Sequence, residues 1–356
     1  MPNIDLETLK KVWKYKLTRN FNEDEVFNVY VDSPFCFLPK CTFCIYKPTM
    51  IENKEGMLLK DKYYDKILIE NIADFGDVLR LRRPDAVYFG GGTSSLMTIK
   101  QMEKIFEKFQ EYFDFRSVRY KHFELNPLSA TDEKIDLLLK WNFTRMSFGF
   151  QTFNQEVLKF NHRVNVSIDR MKAIFDKLEK ADVAYNIDIM VFIYNDSLEE
   201  DLALLKNDLE TVARELRPRR ITVFPNYKKF SNTFSVENRA KNIQKIRSFR
   251  EIVNKFTENS KYTNIHKTSE RTGDEDILRR PLANPKLIRE DVLHKSWTSY
   301  ISTSPPNNPP KNQSVLAIGG FGIREPYSYI PGKLHYITHI TESDRRFELR
   351  FADVRY

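Results

Sequence analysis

The three cysteines of this chain, Cys36, Cys41 and Cys44, all fall on one short stretch, spaced with four and then two residues between them. Three thiolates on one loop can hold three irons of a 4Fe-4S cluster and leave the fourth iron open to a small molecule. The same thiols could hold zinc or pair as disulfides. A structural zinc site wants four ligands, and the six histidines (His122, His162, His266, His294, His335, His339) lie downstream at no zinc-finger spacing. An odd cysteine count with no apolar leader argues against a secreted disulfide framework, so reduced thiols in a cytoplasm are expected.

Other residues with chemical potential stand at the ends of short apolar runs. Gly90, Gly91 and Gly92, followed by Thr93, hold three of only eleven glycines, and such a run lets a backbone approach a ligand closely. Glu124, Gln151 and Asp188 follow on later runs, with Arg163 beyond Gln151. Singly, each carboxylate reads as a buried structural pair and Arg163 as a surface charge. Collected on one rim, they read as a site.

The elements that must position them are short β-branched and aromatic runs alternating with amphipathic segments, the pattern of a parallel sheet. Strands are expected over Val26–Val31, Ala86–Phe89, His122–Leu125, Arg145–Phe150, Tyr185–Phe192 and Arg220–Phe224. Helices are expected near Asp61–Leu81, Thr98–Phe113, Thr131–Trp141, Val166–Ala181 and Leu198–Leu216, with capping hydroxyls at Thr131 and Ser197. Six such units make a partial (β/α)6 barrel of the TIM type, an α/β fold whose sites cluster at the carboxyl ends of strands.

A chain of 356 residues, 41% apolar, is long enough for this barrel and a smaller α+β extension. We expect an N-terminal helical segment over 1–25, the barrel over 26–235 and the extension over 236–356. No run is long and apolar enough for a membrane span, and no membrane partner is expected. The net charge of +8 gathers at Arg80/Arg82/Arg83 and at Arg214/Arg217/Arg219/Arg220. Both patches read as solvated helix ends rather than nucleic-acid contacts, and an anionic substrate is compatible with them.

The ordered motifs Tyr30-Val-Asp-Ser-Pro-Phe-Cys with Cys41-Thr-Phe-Cys, Tyr88-Phe-Gly-Gly-Gly-Thr, Phe123-Glu-Leu-Asn-Pro and Met146-Ser-Phe-Gly-Phe-Gln-Thr-Phe resemble the radical SAM family of oxygen-independent coproporphyrinogen III oxidases and their relatives. Asn186-Ile-Asp-Ile-Met and Leu316-Ala-Ile-Gly-Gly-Phe-Gly-Ile resemble its later blocks. The resemblance implies a 4Fe-4S cluster on Cys36, Cys41 and Cys44 that binds S-adenosylmethionine (SAM) and cleaves it, on one-electron reduction, to methionine and a 5′-deoxyadenosyl radical. It also implies an electron donor such as flavodoxin or ferredoxin and a small-molecule substrate.

By the same resemblance, Tyr30, Gly91 and Glu124 match contacts to the cluster-bound SAM. Phe43, Gly92, Thr93, Gln151, Arg163 and Asp188 match contacts to a second SAM; Ile323, in the late glycine block, and the Pro225–Tyr227 turn are weaker matches. The methyltransferase-like branch of the family would use both molecules to add a one-carbon unit. Two departures stand out. Four residues separate Cys36 from Cys41, where the family usually has three. Asp32 stands where the porphyrinogen-decarboxylating members carry histidine. Oxidative decarboxylation and non-catalytic haem trafficking are therefore the alternatives.

Past residue 240 the sequence carries less. A basic amphipathic helix is expected over 238–258, an irregular connector over 302–313, and short strands around Tyr327, Tyr329 and Tyr336 that would cover the open side of the barrel.

Overall fold

The computed structural model describes residues 3–22, 25–194, 197–226, 236–264, 285–291, 313–319, 327–330, 334–340 and 345–349. The six expected strands all form, as Val26–Ser33 (β1), Ala86–Gly91 (β2), Tyr120–Leu125 (β3), Arg145–Gln151 (β4), Ala184–Val191 (β5) and Arg220–Pro225 (β6). They lie side by side in chain order and pair in parallel. A seventh parallel strand, Gln313–Ile318, joins the free edge of β1, and antiparallel strands extend the sheet at both ends.

Alternation along the strands divides the sheet into two unlike faces. Phe27, Val29, Val31, Val87, Phe89, Phe123, Met146, Phe148, Ile187, Ile189, Ile221 and Val223 are fully buried on one face, against the helices. Phe89 alone sits 5.4 Å from the rings of both Phe106 and Phe123. The alternate positions carry Tyr30, Asp32, Tyr88, His122, Glu124, Arg145, Ser147, Asn186, Asp188 and Thr222. Barrel interiors are ordinarily filled by branched apolar side chains. This polar face is instead suited to hold ligands.

The helices start where their hydroxyls predict. Thr131 accepts from the Lys134 amide and Ser197 from the Glu200 amide, and Thr98 with Gln101 makes a reciprocal capping box. Val236–Glu258 is one helix, as its pattern indicates. Among the described residues no helix is long and apolar enough to cross a membrane.

Two expectations need correction. The continuous helix over Asp61–Leu81 is a broken one: Lys54–Lys62, a π turn at Tyr63–Ile67, then Leu68–Asp74 and Gly76–Leu81. The break falls at Phe75, just before Gly76, where a side chain would strike the Tyr112 ring. The π turn turns Tyr63 and Tyr64 together onto Phe35, at ring distances of 5.4 and 5.9 Å, beneath the cysteine segment. Second, Arg219 and Arg220 are not solvated helix-end charges. Arg219 is buried and clamps Glu179 at 2.9 Å and Asp182 at 2.8 Å, because the chain has already turned inward to begin β6. The late strands Tyr327–Ile330, Leu334–Ile340 and Arg345–Leu349 add edge to edge beyond Gln313–Ile318 and continue the sheet.

Candidate functional site

The chain leaves β1 into a three-residue strand, Phe35–Phe37, that pairs with Thr49–Ile51 and carries Cys36. The following loop, which contains a cis Leu38–Pro39 peptide, presents Cys41 and Cys44. The segment after β4 braces that loop from the side. Thr42 Oγ1 meets Asn161 Oδ1, His162 Nδ1 lies 3.2 Å from the Lys40 carbonyl, and Arg163 Nη1 donates to Cys41 Sγ at 3.8 Å. Asn161 is itself fixed by donating to the Val157 and Ile193 carbonyls at 2.8 and 2.7 Å. Phe43 is buried between the thiols, on Val157 and Ile193.

The glycine run ending β2 packs against the root of the same segment. Gly92 donates to the Ser33 carbonyl at 2.6 Å and Thr93 to that of Phe35 at 2.9 Å. Gly91 has φ +116°, and a Cβ there would stand 2.6 Å from Asp32 Oδ1. One on Gly92 would strike the Phe35 carbonyl. Both positions therefore require glycine. The approach brings Thr93 Oγ1 to 3.0 Å from Cys36 Sγ. Burial pushes the Cys36 thiol up, against the Thr93 hydrogen bond that lowers it.

The remaining candidates line the polar face. Tyr30 stacks on Tyr88 at 5.7 Å, and the Tyr88 hydroxyl donates to Glu124 Oε1. Burial and the charge of Glu124 hold the Tyr88 phenol well above its ordinary range. Asp188 pairs opposite Gly149 and accepts from Asn186 Nδ2 at 2.6 Å. Burial raises its carboxyl to about 7, helped by Glu124 and opposed by the Asn186 bond and by Arg145 and Arg163. Gln151 stands at φ +78°, just past an irregularity in the β4–β5 register. Its Nε2 and Arg163 Nη2 bound the space beside Gly149, at 2.8 and 3.3 Å from where a Cβ would lie. Arg163 Nη2 also donates to the Gly149 carbonyl.

The fold thus gathers Tyr30, Glu124 and Asp188 on one face, and Thr93 and Arg163 each against a different cysteine. Ile323 and Tyr227 lie outside the described residues. Tyr88, His122, Arg145, Asn161 and Asn186 were not singled out as site residues from the sequence. A signal for Tyr88, His122 and Asn186 was present: each stands two residues before a singled-out residue, on the same strand face.

The donor set fits an iron–sulfur group. A cluster bound by thiolates is tuned by hydrogen bonds to its sulfurs, and here two of three thiols have a side-chain donor in place. The buried Arg163 Nε has no hydrogen-bond partner among the described residues, a polar atom left for something not of the chain. Among the described residues no three His, Cys, Asp or Glu side chains converge on a single-ion position.

Residues 30–206 match the radical SAM superfamily. Among curated proteins, the haem chaperone HemW of Buchnera aphidicola (subsp. Schizaphis graminum) is 24% identical over 56% of this chain and 51% of its own length. The oxygen-independent coproporphyrinogen III oxidase of Synechocystis is 26% identical over 62% of this chain and 44% of its own. The chain spans about half the length of the curated relatives it matches. The solved structure of coproporphyrinogen III oxidase (HemN) from Escherichia coli aligns with TM-score 0.64 and 18% identity, covering 92% of this chain and 70% of that one. That likeness bears out the α/β, TIM-like fold. The superfamily's cofactors are a 4Fe-4S cluster and SAM. Matched through the cysteine segment and five of its six strands, residues 30–206 form a radical SAM superfamily domain, related to that of the coproporphyrinogen III oxidases and haem chaperones.

Proposed function

We propose that this protein is a radical SAM enzyme acting on a small organic substrate, with Cys36, Cys41 and Cys44 as the cluster ligands. When bound, the cluster and SAM supply one-electron cleavage to methionine and a 5′-deoxyadenosyl radical. The observation that carries the reading is the convergence of Thr93 on Cys36 and Arg163 on Cys41, at the rim where Gly91 and Gly92 leave room for a ligand.

The chain's own residues supply placement. Glu124, held by Tyr88, would accept from the ammonium of SAM in a charge-assisted bond. Tyr30 and the Gly91 backbone would flank that molecule. Thr93 and Arg163 would tune and orient the sulfur ligands. Phe43 shields the loop from water on the side of Val157 and Ile193.

The finer reading is a second SAM held by Phe43, Gly92, Thr93, Gln151, Arg163, Asp188 and Ile323, which would serve one-carbon transfer. Its support is that Gln151, Arg163 and Asp188 all meet at Gly149. An electron donor such as flavodoxin or ferredoxin would supply the electron. Haem trafficking is the second reading, favoured by the relatives named haem chaperone. Oxidative decarboxylation of a porphyrinogen has the named oxidases in its favour and Asp32 against it.

The test is anaerobic reconstitution of the cluster, then dithionite and SAM carrying a deuterated methyl group. Release of 5′-deoxyadenosine supports the enzyme. Absence of it from protein with a spectroscopically intact cluster, together with stoichiometric haem binding, would replace this reading with the carrier. Equilibrium dialysis counts the SAM molecules, and a count of one removes the one-carbon transfer arrangement.

A further inference from the structure

The polar face carries a second group of side chains that the SAM reading leaves unused. Arg145 opens β4, His122 lies directly opposite it on β3, and Lys286 pairs opposite Thr222 of β6. Lys286 belongs to the antiparallel strand Lys286–Arg289, outside the segment that matches the superfamily. All three keep partial solvent access while surrounded by protein. They also feel one another. Burial first, and the charge of Arg145 second, hold the Lys286 ammonium down at about 8. Burial, then Arg145 and Lys286, hold the His122 imidazole well below its usual range.

Two cations set among protein on one sheet face are costly unless an anion offsets them. Among the described residues neither Arg145 nor Lys286 has a carboxylate within ion-pair distance. The acids that act on Arg145 are Asp188 and Glu124, and on the reading above both are engaged by SAM. His122 is braced by Ser147 Oγ at 2.7 Å and stands edge-on to Tyr88 at 4.3 Å, so its ring is held in place on this face.

We propose that Arg145 and Lys286, with His122 beside them, form an anion subsite in the barrel interior that holds a carboxylate of the substrate. This rests on the radical SAM reading. His122 stands two residues before Glu124 on the same strand face, a step of roughly 7 Å. A carboxylate anchored at that level directs the rest of a small molecule up toward Glu124 and Asp188. Two cations partly offset by two nearby acids match a singly charged carboxylate better than a dianionic phosphate ester. A planar guanidinium also suits a carboxylate's two oxygens.

The test is calorimetric titration of the cluster-loaded protein, with SAM present, using benzoate, benzamide and phenyl phosphate as probes. Benzoate is expected to bind, with benzamide at least about tenfold weaker. Arg145→Gln and Lys286→Met should each lower benzoate affinity by about tenfold or more, while Lys286→Arg, which keeps the charge, restores it. SAM affinity in the same samples should stay within about twofold, which also certifies that the variants are folded. Equal binding of benzoate and benzamide, no benzoate binding to wild type, or unchanged affinity in both variants overturns the subsite. Phenyl phosphate binding tighter than benzoate overturns the choice of carboxylate. Wild type that binds benzoate in this pattern yet fails to bind SAM contradicts the radical SAM reading and leaves the subsite standing.

Discussion

The two faces of the six-stranded parallel sheet are made from alternate residues of the same strands and have opposite chemistry. The helix-facing side is an unbroken apolar layer, in which Phe89, Phe106, Phe115, Phe123 and Phe143 pack ring on ring. The other side carries Tyr30, Tyr88, His122, Glu124, Arg145, Asn186 and Asp188. The first face stabilises the fold. Charged residues on the second cost stability, and such a cost is retained where a ligand is bound. Substitutions on the two faces should therefore separate cleanly into losses of stability and losses of affinity.

The largest expected effect is on the apolar face. Phe89→Ala removes a fully buried ring from the aromatic layer and should cost about 3–5 kcal/mol in urea unfolding. What folded protein remains should bind SAM with little change. The converse is Glu124→Gln. It should weaken SAM binding about ten- to hundredfold, the value of a charge-assisted hydrogen bond, while moving stability by less than about 1 kcal/mol. A stability loss from Glu124→Gln as large as that from Phe89→Ala would erase the distinction between the faces.

At Gly91 the two kinds of loss should coincide. Gly91→Ala meets Asp32 at a positive φ and should cost about 1–3 kcal/mol, and it narrows the ligand approach as well. A variant with unchanged stability and unchanged SAM affinity would show that the run is only a turn.

The smallest effect is a pH dependence. Asp208, behind the sheet, accepts the Phe153 amide at 2.9 Å, and burial lifts its carboxyl to about 7 against the hydrogen bonds from Phe153 and the Thr152 side chain. The unfolded value is near 3.9. The folded state therefore holds this proton more tightly, and its contribution to stability falls as pH rises from about 4 to about 7, then stays level. Asp208→Asn keeps an acceptor for Phe153 and should remove that decline, gaining on the order of 1–2 kcal/mol over wild type between pH 5 and pH 8. Denaturation curves at the two pH values check it; a constant difference would contradict it.

The apolar face was legible in the sequence because its period of two marks strands wherever it occurs. Each of the six strands falls within a few residues of the stretch its pattern indicates. The π turn at Tyr63–Ile67 and the break at Phe75 were not, since hydrophobic spacing runs on through both almost unaltered. Among site residues, those carried by motifs, such as Cys36, Gly91 and Glu124, could be singled out locally. Arg145 and Lys286 could not. Their proximity depends on which strands lie side by side and in what register, and Lys286 comes from a segment without a periodic signature. Asn161 and His162 were hidden for a related reason: their role is to brace a loop more than a hundred residues earlier.

The account stands on three thiolates of one loop holding a cluster with an open iron, despite four residues between the first two. The direct measurement is iron and sulfide content with low-temperature EPR of the reduced, reconstituted protein, with and without SAM, in wild type and in Cys36→Ala, Cys41→Ala and Cys44→Ala. Four irons per chain and a spectrum that shifts on adding SAM are expected for wild type, with each variant losing both. Any one variant that retains a full cluster and the SAM-dependent shift would contradict the assignment of these three ligands.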